Sequence, residues 1–232
     1  MTVSAGGPAP PRGRFFRLAV AGARSDRVLV VSEDAWNAYT NDCVIVPFFR
    51  DSEARESVLR PRLDGDLIAN CTAVTSVAQE DLGDDLGDCP ADVVRAVAVG
   101  VRSYFDIDGL LGPPRVRRRV AGPGLWWPRQ SEVQQALRIA PTPKWVAIVS
   151  EDASNAALAH AAAVRLTSQD TTKPWRKRWE VPLRQGYAIS GDLHLIPHGS
   201  FEPRPPLSPP FARLTGDEMR ALAERLVETL EL

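Results

Sequence analysis

The residues able to do chemistry in this chain are mostly cations and hydroxyls. Arg27 opens one aliphatic run, Thr167 closes another, and Lys173-Pro174-Trp175-Arg176-Lys177-Arg178-Trp179 sets three cations between two indoles. An arginine fork presents several N–H donors to a phosphate, and a hydroxyl can add one more hydrogen bond. Indoles stack on unpaired bases while neighbouring cations hold the backbone, which makes Lys173, Arg176 and Arg178 candidate contacts to single-stranded nucleic acid. Read as a strand, the same stretch puts Trp175, Lys177 and Trp179 on one face and Arg176 and Arg178 on the other. That arrangement equally suits tryptophans covering a core beneath solvated arginines. His194 and His198 are four apart, a ligand spacing on a helix, but Pro197 and the LHLIPHGS context point to strand and turn. No metal site and no cofactor is expected. The acidic pairs Glu33-Asp34 and Glu151-Asp152 invite paired-carboxylate catalysis, yet they sit where a strand turns over, where Asp serves the backbone.

Composition narrows the classes. The chain has 232 residues, 44% of them hydrophobic, and a formal net charge of −1. Any contact with nucleic acid must therefore come from local patches such as Arg115–Arg119 rather than from a global field. No stretch approaches the roughly 18 consecutive apolar residues of a membrane span, so no membrane partner is expected. The opening MTVSAGGPAPPRGR lacks an apolar core and is expected to be a flexible tail. Cys43, Cys71 and Cys89 are odd in number and widely spaced, which suggests reduced thiols in a cytoplasmic protein.

The elements that would position these residues occur twice. Residues 27–46 read RVLVVSEDAWNAYTNDCVIV and residues 145–164 read WVAIVSEDASNAALAHAAAV. Val28, Ser32, Glu33, Asp34 and Asn37 recur as Val146, Ser150, Glu151, Asp152 and Asn155, a constant offset of 118. Two copies are too few for a solenoid and suggest the covalent version of a homodimer. Phe15–Val20, Val28–Val31, Cys43–Phe49, Ser57–Arg62 and Leu67–Val77 read as strands around a turn at Asp64-Gly65. Ser32–Asn41 reads as turn. Asp88 and Pro90 are expected to open a helix carrying Val93, Val94, Val97, Val101, Tyr104 and Phe105. Ser131 and Gln134 suggest a capping box and a short helix over 132–139. Val146–Val149, Ala161–Thr167, 175–183 and 187–196 read as the second set of strands. Thr215 and Glu218 cap a last helix whose stripe is Met219, Leu222, Leu226, Val227 and Leu230. Trp126 and Trp127 are expected to be buried between the copies. The divisions are a tail at 1–13, a first repeat at 14–108, a Pro/Gly/Arg-rich joint at 109–130 and a second repeat at 131–232.

These residues resemble the MazF/PemK toxin family, which shares its small barrel with the CcdB poisons. The match runs through Arg27-Val28-Leu29-Val30-Val31-Ser32, then Val44-Ile45-Val46-Pro47, then Ala69–Gly87 leading into the helix, with the SEDASNA turn and Val164–Thr167 repeating it. The resemblance implies an α+β, mainly β fold of two SH3-like barrels, each with a C-terminal helix, forming an intramolecular pseudo-dimer. It implies a metal-independent endoribonuclease acting on single-stranded RNA and a possible antitoxin peptide as partner. The family's catalytic arginine position falls on Arg27 in the first copy and on Trp145 in the second. Its threonine position falls on Phe49 and on Thr167. Arg27 and Thr167 are thus the expected catalytic residues, with Arg24, Lys144 and Arg165 joining Lys173, Arg176 and Arg178 as expected RNA contacts. The alternative is a degenerate tandem protein that binds RNA or an antitoxin without cleavage.

Overall fold

The computed structural model describes residues 8–19, 25, 27–52, 55–113, 127–136, 144–168, 176–202 and 212–232. The first sheet is built from β1 (Arg14–Leu18), β2 (Arg27–Val30), β3 (Asp42–Arg50), β4 (Arg62–Asp64), β5 (Leu67–Ala69), β6 (Thr75–Ala78) and β7 (Leu82–Asp88). The short helix α1 (Asp34–Tyr39) links β2 to β3, and α2 (Ala91–Tyr104) and α3 (Ile107–Leu111) follow. The second sheet is built from β8 (Glu132–Ala136), β9 (Lys144–Ile148), β10 (His160–Thr167), β11 (Glu180–Leu183), β12 (Gly186–Pro197), β13 (Phe201–Glu202) and β14 (Ala212–Arg213). Helix α4 (Asp152–Ala157) links β9 to β10, and α5 (Gly216–Leu230) closes the chain. Both sheets are antiparallel and curled, in the orders β4-β5-β3-β2-β1-β7 and β11-β12-β10-β9-β8-β13, with β6 on β3 and β14 on β8. None of the described helices is long and apolar enough to cross a membrane.

The aliphatic runs follow from burial on both faces. Val28 and Val30 join one core with Phe16, Cys43 and Ile45, while Leu29 and Val31 face a larger one. Val146 and Ile148 repeat the first role in the second sheet, and Ala147 and Val149 the second. The larger core takes residues from both sheets and from α2 and α5, so neither sheet closes its own interior alone.

The repeated Ser-x-Asp-x-x-Asn pattern is a hydrogen-bonded corner. The Ser32 hydroxyl donates to Asn37 Oδ1 at 2.6 Å and accepts the Val44 N–H at 2.9 Å; Ser150, Asn155 and Ala162 do the same at 2.5 and 2.9 Å. Asn37 Nδ2 donates to the Pro10 carbonyl and Asn155 Nδ2 to that of Pro128. Asp34 and Asp152 each accept a backbone N–H at 2.7 Å, from Arg12 and Gln130. Asp34 and Asp152 therefore do serve the backbone, by anchoring the incoming first strand rather than by capping their own helix, whereas Glu33 and Glu151 accept from side chains.

Several expectations are corrected. Ser32–Asn41 and its counterpart are not plain turns but contain α1 and α4. Ser131 does not cap a helix: its φ is +73°, matching Gly13 at +81°, and Glu132–Ala136 is a strand. EVQQA has weak strand propensity, and pairing with β9, β13 and β14 overrides it. Its buried Glu132 accepts from Gln134 Nε2 within the strand and from Arg213 on β14. Leu67–Val77 is not one strand, because a 3-10 turn at Cys71–Ala73 splits it. Ser57–Arg62 is mostly turn around a single bridge from Ser57 to Arg60, although the Asp64-Gly65 turn forms, with Gly65 at φ +51°. Asp88 ends β7 and Pro90 occupies the N-cap of α2 without a side-chain cap. The capping box at Thr215 and Glu218 forms as expected, and Trp127 is buried. Trp126, residues 114–126 and 137–139 lie outside the described residues.

Candidate nucleic-acid interface

Arg27 begins β2 opposite Phe48 on β3. Directly opposed residues share a face, so the guanidinium lies on the face of the larger core, at its rim. It sits 5.5 Å from the centre of the Phe15 ring, and Phe15 meets Phe48 edge-on at 5.0 Å. Its Nε is buried and makes no hydrogen bond among the described residues, and no described carboxylate lies within ion-pair distance. The result is a cation held over an aromatic floor with its donors uncommitted.

Position 49 does not complete a pair with it. Phe49 opposes Ile68, and alternation along β3 turns it to the other face from Phe48 and Arg27. Thr167 lies on the second sheet opposite Tyr187. Trp145, the counterpart of Arg27, remains 39% exposed, so the second sheet offers a ring where the first offers a cation. Lys144 is half-buried at the start of β9, opposite Ala136.

The basic-aromatic segment takes a different form from the expected strand. Arg176–Trp179 is a 3-10 turn, and only Glu180–Leu183 is extended. Trp179 is buried against Trp36 at a T-shaped 5.2 Å, and its indole N–H donates to Glu33 Oε1 at 2.5 Å. Arg178 donates to Glu33 Oε2 at 2.7 Å and is thereby committed to the joining of the two sheets rather than to a ligand. Lys177 is exposed. Arg24 and Lys173 lie outside the described residues, as does the side chain of Arg176.

Arg165 is drawn into a cluster that sequence reasoning did not assemble. Arg165 follows Ala163 by two on β10, and Ala163 opposes His194, so Arg165 and His194 are diagonal neighbours on one face. Between the pairs Val164–Leu193 and Leu166–Ala188, β12 carries three extra residues in a bulge. The bulge delivers Asp192 to both: its Oδ2 lies 3.3 Å from Arg165 and its Oδ1 2.7 Å from His194 Nε2. The His194 contact is close but poorly aligned for a hydrogen bond. Asp42, from the first sheet, is raised above the usual aspartate range, first by desolvation and then by the Asp192 charge; His194 and Arg165 pull it back. The (i, i+2) spacing of Asp192 and His194 on a strand was a legible signal. Asp42 had none.

At the counterpart position, 42 plus 118, stands His160, whose Nε2 lies 3.2 Å from the Thr72 carbonyl. Burial lowers both His160 and His198 below the usual histidine value, and the two are close enough to act on each other. The three cysteines are free and buried, and burial pushes each thiol up to about 12, which leaves them unreactive as nucleophiles.

No family model and no curated protein matches the chain. Among solved structures, an endoribonuclease in complex with its cognate antitoxin from a Mycobacterial species is 21% identical, over 41% of this chain and 93% of that one, at a TM-score of 0.36. A MazE–MazF structure from Deinococcus radiodurans is 22% identical over 42% and 97%, at 0.36. The Mycobacterium tuberculosis toxin MazF-mt6 is 17% identical over 40% and 96%, at 0.34.

Proposed function

We propose that this chain is a MazF/PemK-like, metal-independent endoribonuclease acting on single-stranded RNA, with its two sheets arranged as an intramolecular pseudo-dimer. The observation that carries the reading is Arg27, a rim arginine with a buried, unpartnered Nε and no carboxylate at ion-pair distance among the described residues. A structural arginine would be paired; one held open over Phe15 suits a phosphate. Trp145 supplies an exposed ring on which an unpaired base can stack. Supporting the pseudo-dimer are the element-by-element correspondence of the two sheets and the core they share. An antitoxin peptide carrying carboxylates would compete for the same arginine.

A second reading is binding without cleavage. The family's arginine and threonine positions fall on different sheets, Arg27 opposite Phe48 and Thr167 opposite Tyr187, which favours a protein that has kept the rim arginine and lost the family's pair. Incubation of an unstructured RNA with the purified protein in a chelator separates the two. Cleavage in EDTA supports the nuclease; retention of intact RNA with saturable binding supports the second reading. Cleavage that EDTA abolishes and a divalent ion restores refutes the metal-independent assignment.

A further inference from the structure

The Arg165 cluster lies where β3 and β6 of the first sheet meet β12 of the second. The seam is tied by Ser76, whose hydroxyl donates to the Gly191 carbonyl at 2.7 Å and accepts the Leu193 N–H at 2.8 Å. Thr75 donates to the Leu193 carbonyl alongside, at 3.3 Å. These bonds hold the β12 bulge against β6 and fix Asp192 and His194 relative to Asp42, which begins β3 beside Ala78. The side chains of Asp192, His194 and Arg165 are 20%, 25% and 37% exposed, so the cluster is half-buried, with His194 Nε2 and Arg165 Nε on its buried side and the rest of both side chains toward solvent.

We infer that Asp42, Arg165, Asp192 and His194 form a proton-transfer site that cleaves an RNA phosphodiester through its own 2′-hydroxyl. The inference rests on the proposed action on RNA, and it replaces the separated Arg27 and Thr167 as the source of the chemistry. Such a cleavage needs one group to accept a proton, one to donate a proton and one cation at the phosphorus. Asp42 accepts the proton of the 2′-hydroxyl as the O2′–P bond forms. The P–O5′ bond breaks, and the leaving O5′ takes a proton from the imidazolium of His194. Arg165, 37% exposed and bound to Asp192 through Nη1, holds a non-bridging oxygen with its remaining Nη N–H groups. The products are a 2′,3′-cyclic phosphate and a 5′-hydroxyl, and no water, metal or redox partner is consumed. Asp192 is a positioning residue, orienting His194 and Arg165.

The roles suit the surroundings. Asp42 is acted on by Asp192 and His194 from β12 and by Arg165 from β10, and its raised affinity for a proton makes it a better acceptor near neutrality than an ordinary aspartate. At the counterpart seam the position of Asp42 is His160, which faces the Thr72 carbonyl and has His198, not an aspartate–arginine pair, as its charged neighbour among the described residues. One of the two seams is therefore equipped and the other is not.

The test compares the wild type with Asp42→Asn, Asp42→Glu and His194→Gln on a single-stranded RNA, with end-group analysis of the products. Binding is followed separately with an oligonucleotide carrying 2′-deoxyribose throughout. Expected are cyclic-phosphate ends for the wild type and a loss of at least 100-fold in cleavage rate for Asp42→Asn and for His194→Gln. Affinity for the deoxy probe should stay within about threefold, and Asp42→Glu should retain measurable cleavage with an altered pH–rate profile. Cleavage within about threefold of wild type in both Asp42→Asn and His194→Gln overturns the site while leaving the nuclease reading intact. A folded wild type that binds the probe but never cleaves RNA overturns both.

Discussion

The backbone N–H of Glu33 donates to the carbonyl of Thr229, in the last turn of α5, at 2.8 Å. Its counterpart Glu151 donates to the carbonyl of Tyr104, at the end of α2, at 3.0 Å. Each N-terminal corner thus satisfies one of the orphan carbonyls at the end of the helix belonging to the other half. The exchange is reciprocal, each half's corner serving a helix of the other. Side chains repeat it. Arg12 and Gln130 each donate to the carbonyl at the end of their own aliphatic run, Val31 and Val149. Each also donates to the far helix end, Arg12 to Glu231 at 3.0 Å and Gln130 to Phe105 at 2.9 Å.

Glu33 adds a contact that its counterpart does not copy, and this sets the first prediction. Its carboxylate is buried and accepts both the Trp179 indole and Arg178. Arg178 is 55% exposed and keeps its hydration when the pair is broken, whereas the indole N–H is buried and loses its acceptor. Glu33→Ala should cost about 2 kcal/mol in urea unfolding and Arg178→Ala less than about 1 kcal/mol. Equal losses would mean that the ion pair, not the indole bond, holds this corner.

The second prediction concerns the two turns that lead into β1 and β8. Gly13 and Ser131 have φ of +81° and +73°, and their N–H groups donate to Val30 and Ile148 at 2.9 and 3.0 Å. Only glycine takes this conformation without a Cβ penalty. Ser131→Gly should stabilise the protein by about 0.5–1 kcal/mol, and Gly13→Ala should destabilise it by about 1 kcal/mol. Paired thermal melts check both signs.

The same turn shows what was readable in advance. The aliphatic runs, the offset of 118, the Asp64-Gly65 turn and the final helix were legible because each rests on local pattern or burial. The strand at Glu132–Ala136 was hidden by polar residues whose partners, Arg213 among them, are distant in sequence. Adding 118 to the strand at Phe15 would have found it. Asp42 stayed invisible because its environment is made by a bulge some 150 residues away on another sheet. The basic-aromatic segment misled because its composition suits RNA equally well, and only the buried Glu33 decides that Trp179 is buried and that Arg178 lies over it as an ion-pair partner.

A third prediction follows from the cap of α5. Burial alone would raise Glu218, but the N–H groups of Thr215 and Arg184, the Thr215 hydroxyl and the Arg184 side chain outweigh it and bring the carboxyl down to about 2. A carboxylate depressed on folding stabilises above its unfolded value, 4.5, and loses that contribution as pH falls toward 2. Unfolding free energy should therefore decline through this window. Glu218→Gln should flatten the decline and cost about 1 kcal/mol at neutral pH, since glutamine still serves the capping box but carries no charge for Arg184. A variant whose acid limb matches the wild type would remove Glu218 from this role.

The last prediction separates binding from chemistry. Arg27 supplies donors over Phe15 but has no proton-transfer group opposite it, since Phe48 and Phe49 are apolar. It should therefore contribute to RNA affinity. Arg27→Ala should weaken binding of a single-stranded oligonucleotide by about 1–2 kcal/mol, a roughly 5- to 30-fold rise in Kd. At saturating RNA the cleavage rate should then recover. Arg27→Lys should recover only part of the affinity, because an ammonium lacks the planar fork. Thr167→Ala should change affinity by less than twofold, since Thr167 opposes Tyr187 on the other sheet. Filter binding across a salt series, with single-turnover cleavage on the same variants, reads both quantities. A rate at saturation that collapses in Arg27→Ala with affinity unchanged would place Arg27 at the reacting phosphate itself, and the seam cluster would lose its claim to the chemistry.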